Sequence, residues 1–167
     1  MKSNIFMFVF LLIVLFIGCH GNDGKIQVAS IRLSVQSDTI DLNQTCTLTV
    51  YIEDILDMFA ITFDISYEDS LINTVDMQIP ASSIFTDSIL SFYHVDENKT
   101  SVSIGKTQTD SNDNVSGSGI ICDLIFLSVG TGTCTFHIEN VMIVDEVGQT
   151  SLQLDDLELY NSDIFIE

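Results

Sequence analysis

Side chains that often carry catalysis are present in this chain, but their spacing does not build a reacting centre. The three histidines, His20, His94 and His137, stand alone, without the paired spacing that a zinc hydrolase uses. Ser118 lies between two glycines without the G-x-S-x-G pattern, which predicts a flexible turn rather than a nucleophile elbow. With 24 Asp and Glu residues, close carboxylate pairs arise by chance and do not indicate a glycosidase. We therefore predict no catalytic residues and no enzymatic activity.

Possible metal ligands give equally little support for a cofactor. Residues 110–114 have the alternating oxygen side chains of an EF-hand loop, but Ile121 stands where such a loop needs an acidic residue. A polar surface loop is the direct interpretation, and a loose calcium site is the alternative. We predict no intrinsic metal and no other cofactor.

The cysteines beyond the N-terminal segment lie on apolar positions of alternating segments. Cys46 alternates with Leu48 and Val50, and Cys122 and Cys134 stand in the same pattern. Their odd number precludes complete pairing within the chain, and no two have the short spacing of a zinc site. We predict small core residues; one disulfide with one free thiol is the alternative.

Charge narrows the range of partners. The chain carries five Lys and Arg residues against 24 Asp and Glu residues, which gives a formal net charge of −19. Nucleic acids and anionic lipid surfaces require a basic face, so we predict that both are poor partners and that the chain binds no nucleic acid. Solubility alone accounts for the acidity, which also suits calcium or a basic partner.

Alternation of apolar and polar residues dominates the chain after its N-terminal segment. In residues 59–67 every second side chain is large and apolar, which is the period of a half-buried strand. The predicted strands are residues 33–35, 46–52, 59–67, 71–77, 89–95, 101–107, 120–129, 133–144 and 164–166. At most, short helical turns are expected at 80–88 and 154–159. We predict one all-β domain, residues 26–167, built as a sandwich or barrel.

The N-terminal segment has the layout of an export signal. Lys2 precedes an unbroken apolar run over residues 5–17, which is too short to span a bilayer as a helix. Gly18 and Cys19 at its end resemble the cleavage and acylation site of bacterial lipoproteins. This resemblance implies a signal peptide (residues 1–18), lipidation of Cys19, a spacer (19–25), and a domain anchored to the bacterial cell envelope and facing outside. An ordinary cleaved signal is the alternative.

Three segments of the predicted domain resemble those of cohesin domains, in the same order and spacing. Residues 63–72, FDISYEDSLI, resemble the F-x-Y-D-P-S-x-L signature, with Tyr67 and Glu68 at the Tyr-Asp positions. Residues 117–129 resemble the Gly-rich turn and buried strand of the family, and residues 132–149 resemble its last long hairpin. The N-x-x-x-x-D-x-x-G pattern of that hairpin is carried by Asn140, Asp145 and Gly148.

The resemblance implies both a fold and a function. The implied fold is a nine-stranded jelly roll of two packed β-sheets. The implied function is non-catalytic capture of the dockerin module of another protein, such as a polysaccharide-degrading enzyme, at the cell envelope. Calcium in such a complex belongs to the dockerin partner rather than to the cohesin.

The resemblance also implies where the partner binds. Cohesins hold it on the sheet that contains the strand ending in Tyr67, so the outward side chains of this strand and of the 101–107 strand are candidates. These residues are Ala60, Thr62, Asp64, Ser66, Ser101, Ser103 and Gly105. Better-known cohesins have asparagine and aspartate at the positions of Ala60 and Thr62, so those polar contacts are not carried over. A solvated sheet face without a partner is the alternative.

Two other functions compete with docking. A jelly-roll domain can instead bind carbohydrate, usually by stacking sugars on exposed aromatic rings. The chain has no tryptophan, and Tyr51 and Tyr93 are its tyrosines predicted to be exposed. A purely structural envelope domain, with affinity for neither ligand, is the third interpretation.

Overall fold

The computed structural model describes residues 28–107, 114–145, 150–152 and 157–167. These residues form twelve strands and no helix. The strands are β1 (Ser30–Val35), β2 (Thr39–Ile40), β3 (Thr45–Met58), β4 (Ala60–Ser66), β5 (Ile72–Gln78), β6 (Ile89–Asp96), β7 (Lys99–Lys106), β8 (Val115–Ser128), β9 (Gly132–Val144), β10 (Thr150–Leu152), β11 (Glu158–Tyr160) and β12 (Ser162–Ile166). The predicted signal peptide, Cys19 and the spacer lie outside the described residues, as does most of the 110–114 loop.

Two sheets pack face to face, which confirms the predicted all-β sandwich. The five-stranded sheet has the order β11-β1-β3-β8-β5. The seven-stranded sheet has the order β2-β12-β9-β4-β7-β6, and β10 pairs with the end of β9. Nine strands have five or more residues, and each overlaps a predicted strand, although β1, β3 and β8 are longer than predicted. The remaining three are the short β2, β10 and β11.

One local prediction is wrong. The Gly-Ser-Gly stretch around Ser118 belongs to β8 rather than to a turn. Two serine hydroxyls of this stretch accept hydrogen bonds from the backbone of β3, at the point where β3 bulges. Ser116 accepts from the Asp57 N–H at 3.0 Å, and Ser118 accepts from the Asp54 N–H at 2.9 Å. Residues 80–88 hold a single hydrogen-bonded turn and no helix: the Ser83 N–H donates to the Pro80 carbonyl at 2.8 Å, and Ser83 then forms a β-bridge with Ile120 of β8.

An aromatic cluster fills one end of the core between the sheets. The ring centroids of Phe126 and Phe136 lie 4.8 Å apart, and the Tyr67 ring meets Phe126 edge-on at 5.2 Å. The Tyr67 hydroxyl accepts a hydrogen bond of 3.0 Å from Thr74 and lies 3.3 Å from the Thr100 hydroxyl. A buried hydroxyl without hydrogen-bond partners would destabilise the fold, and these two threonines supply the partners. Tyr67, the tyrosine of the cohesin-like signature, therefore has a structural role.

The three described cysteines are buried and unpaired, as the alternation predicted. Burial raises the pKa of Cys46 to about 11, and the neighbouring Cys134 contributes to the rise. Burial likewise raises the pKa of Cys122 and of Cys134. These thiols therefore stay protonated at neutral pH and behave as small core side chains.

Candidate functional site

The seven predicted contact residues share the outer face of the seven-stranded sheet. β4 and β7 run antiparallel with cross-strand partners at Ala60 and Gly105, Thr62 and Ser103, and Asp64 and Ser101. The alternate residues Ile61, Phe63, Ile65, Val102 and Ile104 are buried between the sheets. Period two therefore turns the whole candidate set toward solvent, and the structure brings its members together on two neighbouring strands.

The strands on either side add exposed apolar side chains that were not predicted as contacts. On β6, Leu90 and Phe92 lie opposite Gly105 and Ser103 and are 52% and 60% exposed. On β9, Met142 lies opposite Thr62 and is 44% exposed. Leu90 and Phe92 are neighbours on β6, whereas Met142 lies beyond Thr62 and Ser103 on the far side of β4 and β7. Exposed apolar side chains grouped on one sheet face are typical of a site of protein interaction. The alternation of Leu90, Phe92 and His94 in the sequence was a usable signal, but strand order was needed to place it.

A shallow apolar depression of about 180 Å³ lies between β4, β7 and β6 on this face. Leu90 and Phe92 border it, together with Ala60, Thr62 and Ser103. Gly105 keeps it open, because a Cβ added there would meet the Ala60 Cβ at 2.9 Å. We call Ala60, Leu90, Phe92, Gly105 and Met142 the apolar patch.

The other end of the same face is polar and centred on Asp64. Its carboxylate accepts hydrogen bonds from Ser101 at 2.6 Å, from Asn140 at 2.7 Å and from Lys99 at 3.2 Å. Burial alone would raise the pKa of Asp64, but these hydrogen bonds and the positive charge of Lys99 outweigh it and lower the pKa. The carboxylate is therefore ionised and internally satisfied at neutral pH.

Asn140, one of these hydrogen-bond donors, lies in a β-bulge of β9. Between the pairs Thr62–Met142 and Asp64–Glu139, β9 carries two residues opposite the single Phe63. Asn140, in the bulge, has a positive φ of 51°, which asparagine tolerates better than most residues. The bulge turns the Asn140 amide toward Asp64 and so fixes the polar end of the face.

A polar cleft of about 520 Å³ adjoins this polar end. Its lining includes Ser66, Glu68, Asp69, Asn98 and His137. Ser66 also donates a hydrogen bond of 2.9 Å to Glu139. The face is thus graded from an apolar end near Gly105 to a polar, acidic end near Ser66.

The two tyrosines predicted to be exposed do not form one platform. Tyr51 lies on the outer face of the five-stranded sheet, whereas Tyr93 lies on β6, paired with the buried Val102. Tyr93 is therefore on the inner side of the seven-stranded sheet, at its uncovered edge. The sequence could not show this, because the two strands belong to different sheets.

Among the described residues, no group of three or more His, Cys, Asp or Glu side chains is placed to hold a metal ion. In the same part of the chain, no helix is long and apolar enough to cross a membrane.

The two sheets and their strand order define a cohesin-type jelly roll, and solved structures match it. No protein-family model and no curated protein matches the chain. A non-cellulosomal cohesin from Archaeoglobus fulgidus is 19% identical, over 83% of this chain and 91% of that chain, with a TM-score of 0.64. A cohesin module from a Clostridium perfringens family 33 glycoside hydrolase is 13% identical, over 84% and 97%, with a TM-score of 0.67.

A chain of the type II cohesin–X–dockerin complex of Acetivibrio cellulolyticus is also similar. It is 14% identical, over 83% of this chain and 99% of that chain, with a TM-score of 0.70. These matches span almost the whole of each cohesin. The chain therefore has the cohesin fold.

Proposed function

We propose that this protein is a non-catalytic docking module that captures dockerin-bearing proteins, such as polysaccharide-degrading enzymes, at the bacterial cell envelope. The observation that carries the proposal is the apolar patch, which lies on the outer face of the seven-stranded sheet. A fold shared with a solved cohesin–dockerin complex supports the choice of partner.

The apolar patch has the composition of the energetic centre of a protein interface. Leu90, Phe92 and Met142 would lose their water contact on docking, and burial of apolar surface stabilises a complex by roughly 25 cal/mol per Å² before the costs of association. Thr62 and Ser103 lie beside them and offer hydroxyls to the partner. Asp64 already accepts three hydrogen bonds, so its part is to fix the face rather than to recognise the partner.

The expected calcium dependence belongs to the partner. The resemblance to cohesins assigns calcium to the dockerin, so chelation should abolish docking by unfolding the partner rather than this domain. The melting temperature of the protein alone is expected to be the same with calcium and with chelator.

Calorimetric titration of the protein with dockerin modules of the same genome, with calcium and again with chelator, tests the function. We expect calcium-dependent binding that Leu90→Glu weakens at least tenfold, or about 1.4 kcal/mol, because a carboxylate would be desolvated in the apolar patch. Val75→Glu is the matched control, because Val75 is similarly exposed on β5, an edge strand of the other sheet.

Two results would refute the proposal. The first is the absence of binding to every dockerin tested. The second is equal weakening by Leu90→Glu and Val75→Glu, which would assign the loss to added negative charge rather than to the apolar patch.

We further propose that Cys19 carries a lipid that anchors the domain to the envelope, with residues 19–25 as the spacer. The support is the apolar run that ends at Gly18 and Cys19. Cys19→Ala should move the protein out of the lipidated membrane fraction and remove the lipid from its mass. Unchanged fractionation, with no lipid mass on the unaltered protein, would contradict the anchor.

A further inference from the structure

A second exposed surface lies on the outer face of the five-stranded sheet, on the opposite side of the sandwich from the apolar patch. Arg32 on β1 pairs with Tyr160 on β11 and with Tyr51 on β3. The three side chains therefore form one row across three neighbouring strands. In the next row, Ser30 pairs with Glu158 on one side and with Glu53 on the other.

Contacts within these two rows hold the side chains in place. Arg32 donates a hydrogen bond of 2.9 Å to Glu53, and its guanidinium lies 5.4 Å from the centroid of the Tyr51 ring. The Tyr160 hydroxyl donates a hydrogen bond of 2.6 Å to Glu158. Tyr160 is nevertheless 49% exposed, so its ring remains accessible. Groups fixed before binding lose less conformational entropy when a ligand arrives.

We propose that this row binds a neutral polysaccharide chain. Neighbouring strands lie about 4.8 Å apart, so Tyr160 and Tyr51, two strands apart, are separated by roughly 10 Å. That spacing is close to the length of two pyranose units in an extended glycan. Tyr160 offers an exposed apolar ring to the C–H groups of one sugar. The Tyr51 ring is half-buried and carries the Arg32 guanidinium over it, so a second sugar would contact Tyr51 and Arg32 together. Glu53 and Glu158 accept hydrogen bonds from sugar hydroxyls, and Arg32 donates them.

The chemistry of the two rows selects against other ligands. Two carboxylates flank the tyrosines, and the chain has a net charge of −19, so acidic polysaccharides and nucleic acids would be repelled. A protein partner would need a dry apolar centre, but the side chains of the two rows are aromatic, charged or hydroxylated. This inference goes beyond docking and does not depend on it.

Affinity electrophoresis in gels that contain hydroxyethylcellulose, xyloglucan or galactomannan tests the proposal, with polygalacturonate as the acidic comparison. We expect retardation in at least one neutral gel and none in polygalacturonate. Tyr160→Ala should weaken binding at least tenfold, whereas Tyr160→Phe should retain most of it, because the ring rather than the hydroxyl stacks. Tyr93→Ala on β6 is the matched control and should bind normally.

Three outcomes would overturn the proposal. They are the absence of retardation in all three neutral gels, retardation in polygalacturonate alone, and retardation that both Tyr160→Ala and Tyr51→Ala leave unchanged. Thermal unfolding of each variant separates lost binding from lost folding. Dockerin titration of Tyr160→Ala, expected to be unchanged, keeps the two proposed surfaces distinguishable.

Discussion

At the scale of single residues, Asp64 shows how a predicted contact residue acquires another role. Its position on the outward face of β4 made it a candidate for recognition. In the structure its side chain is only 14% exposed, and its carboxylate accepts hydrogen bonds from Ser101, Asn140 and Lys99. These donors come from β7 and β9, so Asp64 ties three strands of the seven-stranded sheet together.

Asp64→Asn should destabilise the protein in a pH-dependent way. Because the pKa of Asp64 is lowered on folding, its carboxylate stabilises the fold above the ordinary carboxyl pKa of about 4, and this contribution is lost as the pH falls through the folded-state value. We expect a loss of about 1 kcal/mol at neutral pH, since Lys99 is partly solvent-exposed.

Denaturant unfolding of both proteins at neutral pH and well below pH 4 measures this difference. The gap in unfolding free energy between the two proteins should close at acid pH, where the native carboxyl is protonated. Ser34→Ala, on the outer face of β1 in the other sheet, is the control and should show no such pH dependence. A gap of equal size at both pH values would contradict the account of Asp64.

At the scale of elements, period two was enough to predict the nine longer strands. The three short strands escaped prediction, because two or three residues carry no periodicity and form only where tertiary pairing holds them. β11 is the clearest example: it pairs in parallel with β1, more than a hundred residues earlier, and so brings Tyr160 beside Arg32.

Only part of the proposed docking face, the outer face of the seven-stranded sheet, could be predicted from the sequence. Alternation turned Thr62 and Ser103 outward, and the structure confirms that they lie side by side. Leu90 and Met142 were missed, because only the order β9-β4-β7-β6 places them beside that pair. Strand order joins segments far apart in sequence, which local patterns do not determine.

The bulge in β9 allows backbone strain at Asn140 to be tested by mutation. Asn140→Val should lower the unfolding free energy by about 2 kcal/mol, because a β-branched residue is strained at a φ of 51° and the hydrogen bond to Asp64 is lost. Asn140→Gly also loses that hydrogen bond but relieves the strain, so it should cost less. Denaturant unfolding compares the two; equal losses would show that backbone strain at the bulge is unimportant.

At the scale of the whole molecule, the sandwich presents two chemically different outer faces. The seven-stranded sheet exposes the apolar patch, and the five-stranded sheet exposes the row of Tyr160, Arg32 and Tyr51. A partner on one face leaves the other open. Under both proposals, a dockerin-bearing protein and a neutral polysaccharide would bind to opposite faces of the domain.

The most direct test of the docking claim is an NMR map of backbone amide shifts on addition of a calcium-loaded dockerin. We expect the largest shifts on β4, β6, β7 and the second half of β9, around Phe92 and Met142. Shifts concentrated on the five-stranded sheet, or no shifts at saturating dockerin, would contradict it.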